Sequence, residues 1–181
     1  LNKMNVYTVR YATQGLSDLI LANGKEAAKR GVCIAYDSRI HSEDFAWEAA
    51  CTLSANGISV YLFDELRPTP ELSFAIREFG AIAGINVTAS HNPKEYNGYK
   101  VYWEDGAQLP PQHAKQISDR LAEIDIFDDV KTCSKEAALN NKLIKVIGKE
   151  FDEKYIAKVL GESVGKQYVE QAADNFKMVY T

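Results

Sequence analysis

Residues 81–103, AIAGINVTASHNPKEYNGYKVYW, set an apolar run, a polar hexapeptide and an alternating aromatic run side by side. Ala81–Val87 is nearly continuous in apolar residues, as expected of a strand covered on both faces. Tyr99–Trp103 alternates instead: Tyr99, Val101 and Trp103 share one face, and Lys100 and Tyr102 take the other. Asn97-Gly98 before it is the signal of a tight turn, so the short connection predicts an antiparallel return. Between the strands stands Thr88-Ala89-Ser90-His91-Asn92-Pro93, where Pro93 stiffens the loop and pushes Asn92 toward extended geometry.

Working upstream, the same grammar repeats. Ala12, Leu16, Leu19 and Ile20 recur at helical spacing over residues 8–22, with Asn23-Gly24 as a stop. Val32–Tyr36 is a short buried-strand run that ends in Asp37-Ser38-Arg39. Ser42-Glu43-Asp44 opens a helix that Gly57 ends, and residues 58–63 form the next strand. In Arg67-Pro68-Thr69-Pro70-Glu71, Thr69 is the expected cap and Pro70 a first-turn residue of a helix to about Gly80. Strands alternating with helices of about a dozen residues imply crossover connections. The expected fold is α/β, a mixed and mostly parallel sheet with helices on both sides. Ligands in such folds collect past the carboxyl ends of the strands, so Asp37-Ser38-Arg39, Pro68-Thr69-Pro70 and Ser90-His91 should converge on one edge.

Downstream, Pro110-Pro111 precedes a helix striped by Ala114, Ile117, Leu121 and Ile124, and residues 143–147 read as a short strand. From about Lys149 the pattern changes to two helices, 152–161 and 164–175, followed by a strand-like run at residues 176–181. That change sets the expected boundary between a domain of residues 1–148 and a second segment of residues 149–181. With no initiator Met at Leu1 and a strand-like run at its close, the chain is expected to be a fragment of a longer protein.

Composition narrows the function classes. The 181 residues are 46% hydrophobic and 25% charged, the balance of a globular domain, and the net charge of -4 comes from interspersed signs. No basic stripe points to nucleic acid, no polybasic patch or long apolar run to a membrane. Cys33, Cys51 and Cys133 are widely spaced and odd in number, which fits free thiols in a reducing cytoplasm. His41, His91 and His113 are too scattered to propose a metal triad.

Residue chemistry alone leaves the hexapeptide with two readings. Ser90 is a turn serine, or a nucleophile that needs activation because its hydroxyl is protonated at neutral pH. The Gly-x-Ser-x-Gly elbow of a hydrolase is not present. Lys100 is a solvated edge guard, or a cation curled back over the serine loop. Arg39 meets an anion at this edge, or pairs with Asp37.

The hexapeptide, the Tyr96-Asn97-Gly98-Tyr99-Lys100 that follows, and Asp37-Ser38-Arg39, Pro68-Thr69-Pro70 and Gly84-Ile85 ahead of it resemble the α-D-phosphohexomutases. This is the family of phosphoglucomutase and phosphomannomutase, whose phosphoserine loop carries that signature. The resemblance implies a three-layer α/β/α domain I carrying Ser90 as the phosphorylated residue. It further implies an intramolecular phosphotransferase, an isomerase of carbohydrate metabolism, that moves phosphate between C1 and C6 of a hexose through a sugar bisphosphate. Mg²⁺ is the implied ion, with a Ser90 phosphate oxygen as a ligand. Lys100 is implied in proton transfer or charge stabilisation, His91 in support of the phosphate, and Arg39 and Asn92 in phosphate or substrate binding.

Residues 95–108, EYNGYKVYWEDGAQ, look like the branch that holds phosphoglucomutase-2 and its phosphopentomutase relatives. Phosphopentomutase or glucose-1,6-bisphosphate synthase activity is therefore the runner-up, and a silent sugar-phosphate or partner-binding domain the reading from another class. Similar enzymes add an aspartate-rich metal loop, a Glu-x-Ser sugar loop and a phosphate-binding loop in domains II–IV, and a Gly-Thr-Ala-Gly-x-Arg strand near the N-terminus. No aspartate-rich loop, no phosphate-binding loop and no Gly-Thr-Ala-Gly-x-Arg strand occurs in these 181 residues, and the Glu-x-Ser triplet present, Glu71-Leu72-Ser73, lies in a helix of the first domain. Residues 149–181 are therefore expected to be linker helices and the first strand of a truncated domain II, and the fragment alone is expected to be inactive.

Overall fold

The computed structural model describes residues 4–180. Those residues fall into two compact units that meet at Gly148 and Lys149. The first holds a five-stranded sheet in the order β4-β3-β1-β2-β5. The strands are β1 (Val32–Tyr36), β2 (Val60–Phe63), β3 (Ala83–Val87), β4 (Tyr99–Trp103) and β5 (Ile144–Ile147). β1 lies parallel to both β2 and β3, β2 is parallel to β5, and β3 and β4 are antiparallel. The mixed, mostly parallel α/β sheet is the one the sequence predicts.

Alternation along the strands sorts the side chains into two layers. Val32, Ile34 and Tyr36 of β1, Val60 and Leu62 of β2, and Ala83, Ile85 and Val87 of β3 join one buried cluster with Val9, Leu16 and Ile20 of α1 (Val6–Ala22). Ala46, Ala49, Ala50 and Leu53 of α3 (Ser42–Ala55) close the same layer, and α5 (Pro111–Leu121) packs on α1 outside it. On the opposite face, α4 (Thr69–Phe79) seats Leu72 and Ile76 over β3, and Tyr61 stacks on Phe79 with ring centroids 4.4 Å apart. Full burial of β1 and β3 is what their nearly continuous apolar runs require.

The order of connections positions the site. β1 leads through α3 to β2 on one side, and β2 leads through α4 to β3 on the other side of β1. Successive connections thus part at the carboxyl ends of β1 and β3, the place where ligands bind in folds of this kind. The loop after β2 joins them there: the Arg67 amide donates to the Tyr36 carbonyl at 3.1 Å, and the Tyr36 hydroxyl donates to the Asp64 carbonyl at 3.0 Å.

Several local expectations are corrected. The first helix starts at Val6, two residues early, because Asn5 and Thr8 form a reciprocal capping box. Thr69 does not cap α4; the cap position is Pro68, and the Thr69 hydroxyl accepts from Asn86 Nδ2 at 2.7 Å. Asn97-Gly98 is not the tight turn, which instead closes from the Pro93 carbonyl to the Tyr96 amide at 3.0 Å. Gly98 serves a close approach: a Cβ there would lie 2.6 Å from the Thr88 carbonyl oxygen. Two short helices, α2 (Lys25–Arg30) and α6 (Lys135–Asn140), were not expected.

The second unit holds α7 (Lys149–Gly161) and α8 (Lys166–Ala172), with Lys158–Glu162 pairing at 2.8 Å in i,i+4 spacing. Residues 176–180 form no strand, against the expectation; a lone strand leaves its N–H and C=O groups without a ladder, and no described strand pairs with these residues. Leu1–Lys3 and Thr181 lie outside the described residues. Among the described residues no helix is long and apolar enough to cross a membrane.

Gly84 fixes how closely α4 can sit on β3. A Cβ at this position would lie 2.4 Å from Ile76 Cδ1 and 2.9 Å from its Cγ1. Gly84→Ala should therefore cost about 1–3 kcal/mol by overpacking, read as a lower urea midpoint at unchanged slope. Adding Ile76→Val, which removes Cδ1, should recover part of that loss; no recovery would place the cost elsewhere than at this contact.

Candidate active site at the serine loop

The loop after β3 is held from both ends of its own sequence and from β1. The Thr88 amide donates to the Gly98 carbonyl at 3.0 Å, which extends the β3–β4 ladder one pair beyond the strands. Thr88 Oγ1 then accepts from the Ser90 amide at 3.1 Å, and the Asn92 amide donates to the Ala89 carbonyl at 3.2 Å. Ser90 is thereby held in the left-handed region at φ 58°. A non-glycine residue there costs on the order of 1–2 kcal/mol and persists only where neighbouring bonds over-determine it.

The strongest of those bonds come from Arg39. Its Nη2 donates to the Ser90 carbonyl at 2.6 Å, and Nη1 donates to the carbonyls of Pro93 at 2.6 Å and Tyr96 at 3.2 Å. Nε donates to Asp37 Oδ2 at 2.8 Å, and the Arg39 side chain is only 9% exposed. Asp37 is fixed in turn: its Oδ1 accepts from the Arg39 amide at 3.0 Å and from Ser42 Oγ at 2.8 Å. Asn97 Nδ2 donates to Ser42 Oγ at 2.9 Å and to the Ile40 carbonyl at 3.1 Å, which ties the far end of the loop to the start of α3. Burial raises the Asp37 carboxyl, but the hydrogen bonds from Thr88, the Arg39 amide, Ser42 and the Arg39 guanidinium outweigh it and hold the group below the ordinary carboxylate range.

Lys100 completes the arrangement. On β4 it lies opposite Asn86, and its Nζ donates to Ser90 Oγ. The edge-guard reading of Lys100 gives way to the other one, because the ammonium is turned onto the serine. Ser90, His91 and Asn92 are exposed at the loop tip, so the loop offers a hydroxyl, an imidazole and an amide to solvent beside one cation. Of the two readings of Arg39, the pairing with Asp37 is present: its Nε is on Asp37 and its two terminal nitrogens are on loop carbonyls, so it clamps the loop.

The remaining candidates stand apart. His41 occupies the N-cap position of α3 with its Nδ1 2.8 Å from Asp44 Oδ2, and the His113 ring packs against Trp103 with centroids 4.5 Å apart. Cys33 and Cys51 are buried free thiols that desolvation disfavours as thiolates, with Cys51 pushed up to about 11. Among the described residues no group of three His, Cys, Asp or Glu side chains is placed to hold a metal ion. Mg²⁺ prefers oxygen ligands in an octahedron, and Ser90 is the oxygen donor that faces solvent beside Lys100.

Sequence reasoning missed Thr88, Ser42 and Asn97 as parts of this network, and Asn86 opposite Lys100; only Asn86 left a signal, a primary amide inside an apolar strand run.

Two outcomes follow from the clamp. Arg39→Met should expose the Asn92 and Tyr96 amides to fast hydrogen exchange and lower stability by about 1.5–3 kcal/mol, the range for hydrogen bonds to charged groups. Arg39→Lys should not restore protection, since a single ammonium cannot span three carbonyls and a carboxylate. The Asp37 contribution is fully present above its unfolded value and is lost as pH falls through the lower folded value. Asp37→Asn should accordingly flatten the stability curve below about pH 4; an unchanged acid limb in chemical denaturation would contradict it.

Comparison with known proteins agrees with the fold. The model of phosphoglucomutase/phosphomannomutase, alpha/beta/alpha domain I, matches residues 1–126. A phosphoglucomutase from Staphylococcus saprophyticus is 39% identical over 153 residues, covering 84% of this chain and 27% of that protein. The human phosphopentomutase is 40% identical over 129 residues, covering 68% of this chain and 21% of that protein. The chain thus spans about a quarter of the length of these curated relatives. The fold matches the open form of the exocytosis-sensitive phosphoprotein pp63/parafusin from Paramecium with a TM-score of 0.61 at 22% identity, over 84% of this chain and 31% of that one. The chain belongs to the phosphoglucomutase/phosphomannomutase family and carries its α/β/α domain I.

Proposed function

We propose that residues 1–181 are the phosphoserine-bearing part of a phosphosugar mutase that moves phosphate between C1 and C6 of a glucose or mannose phosphate. The contact between the Lys100 ammonium and Ser90 Oγ carries this reading. It rests also on family membership and on the left-handed backbone that Arg39 and Thr88 impose at Ser90.

In the first half-reaction a sugar hydroxyl oxygen attacks phosphorus on phosphorylated Ser90. The bond from phosphorus to Oγ breaks, the sugar becomes a bisphosphate, and the hydroxyl proton ends, in net terms, on Oγ. After the bisphosphate turns over, Oγ attacks its other phosphoryl group, returning the proton to the sugar oxygen that leaves. Such transfers depend on positioning and on neutralising charge, because there is little covalent chemistry for the protein to perform. Lys100 is assigned to deliver and take back the Oγ proton and to offset the charge of a phosphoserine carrying nearly two negative charges. His91 and Asn92, exposed on the same loop, are assigned to the phosphate oxygens. Arg39 acts through the loop it holds.

Mg²⁺ belongs to the proposal as the ion that would neutralise the transferring phosphoryl group. One ligand is assigned to this chain, a phosphate oxygen on Ser90, and the rest to segments equivalent to the other domains of the relatives. Residues 149–181 are assigned to linker helices and the start of domain II. The isolated chain is accordingly expected to be inactive, and a reducing cytoplasm is the proposed setting.

A specific observation favours phosphopentomutase as the second reading, namely the 40% identity to the human enzyme of that name. The test is isomerisation of glucose, mannose and ribose 1-phosphates by the full-length protein with Mg²⁺ and a trace of glucose 1,6-bisphosphate. Turnover of the hexose phosphates is expected, and Lys100→Met should lower kcat by about 10²–10⁴-fold, the range for removal of a proton-transfer group. Turnover of ribose 1-phosphate alone would select the second reading, and accumulation of a bisphosphate without isomerisation would select a bisphosphate synthase. No conversion of any sugar would sink the mutase reading and leave a silent sugar-phosphate or partner-binding domain.

A further inference from the structure

Asn86 is a buried amide that the site as described does not use. It is 2% exposed, it lies directly opposite Lys100 across the β3–β4 ladder, and its Oδ1 is buried without a hydrogen-bond partner. The pairs Thr88–Gly98, Asn86–Lys100 and Gly84–Tyr102 point to one face of the sheet, since side chains alternate and directly opposed residues share a side. Asn86, Lys100 and Tyr102 are therefore neighbours beneath the serine loop.

The orientation of the amide is set by its partner. Asn86 Nδ2 donates to Thr69 Oγ1 at 2.7 Å, which places the NH₂ on Thr69 and turns Oδ1 away from it. A buried acceptor left unpaired is unfavourable by about 1–3 kcal/mol. Across the ladder stands an ammonium with three donors, one of which is on Ser90 Oγ.

We propose that Asn86 is a positioning residue for Lys100: its Oδ1 takes an N–H of the ammonium when the Ser90 hydroxyl is no longer available to it, and so keeps Nζ beside the serine. This rests on the mutase reading for its role in turnover but not for its geometry. In the unphosphorylated protein Lys100 sits on Ser90 Oγ and Asn86 waits. Once Ser90 is esterified, Oγ is a poorer acceptor, and Asn86 holds the ammonium at the height from which it returns the proton.

Competitive acetylation of the chain, read at Lys100 by mass spectrometry against exposed lysines, tests the geometry without activity. In wild type, Asn86→Leu should change Lys100 labelling less than about two-fold. In Ser90→Ala, where the hydroxyl is gone, adding Asn86→Leu should speed labelling by about five-fold, the equivalent of one net hydrogen bond. Thr69→Val, which releases the amide without removing it, should give an intermediate rise and serves if the leucine variant fails to fold. Equal Lys100 rates in Ser90→Ala with and without Asn86→Leu, or with and without Thr69→Val, overturn the proposal.

In the full-length protein the same coupling should appear in single-turnover phosphoryl transfer. Asn86→Leu should slow it about ten-fold with Lys100 present and less than two-fold in Lys100→Met, since a double-mutant cycle isolates the pair. Equal slowing in both backgrounds would make Asn86 merely structural and overturn its role. If Ser90 never receives phosphate, the mutase reading fails, while the labelling still decides where Lys100 goes.

Discussion

The Asp37–Arg39 pair is the constraint on which the site depends. It spans the carboxyl ends of β1 and β3 at the reversal of strand order, where backbone groups have no ladder to satisfy them. One guanidinium meets three loop carbonyls there, and one carboxylate anchors the guanidinium. A neutral side chain could not do this, because hydrogen bonds to charged groups are roughly twice as strong as neutral ones. With that clamp in place Ser90 can stay left-handed and exposed while its carbonyl accepts from Arg39. Order at the loop is thus set by side chains bonded to the loop's own backbone.

Lys100 depends on the same arrangement from the other side. Its place on an antiparallel edge strand follows from the return of the chain through a short connection, and the register sets it opposite Asn86 and within reach of Ser90. A slip of one residue would turn it to the face that holds Tyr99 and Trp103 against α1 and α5. Gly98 protects that register by letting the chain pass close to the Thr88 carbonyl. Backbone spacing and side-chain chemistry are therefore coupled at one short loop.

Much of this was legible beforehand because it rests on local signals. Val32–Tyr36 and Ala81–Val87 read as buried strands from composition alone, and the alternation of Tyr99–Trp103 gave both the strand and the side of Lys100. What was missed had a physical reason in each case. Lys25–Arg30 and Lys135–Asn140 are helices of only six residues, whose formation depends on neighbours in space. Thr69 reads as a cap from its neighbours, yet Asn86, seventeen residues away, claims its hydroxyl. Arg39 reads as an anion site or a partner of Asp37, and only the fold reveals that Pro93 and Tyr96 are beside it. Residues 176–180 carry strand composition with no ladder to join.

The central claim is that Ser90 carries the phosphoryl group, and the intact mass of the full-length protein after exposure to glucose 1,6-bisphosphate tests it most directly. Wild type should gain the mass of one phosphoryl group that Ser90→Ala lacks. A wild-type protein that never gains it, or an alanine variant that gains it equally, would contradict the account.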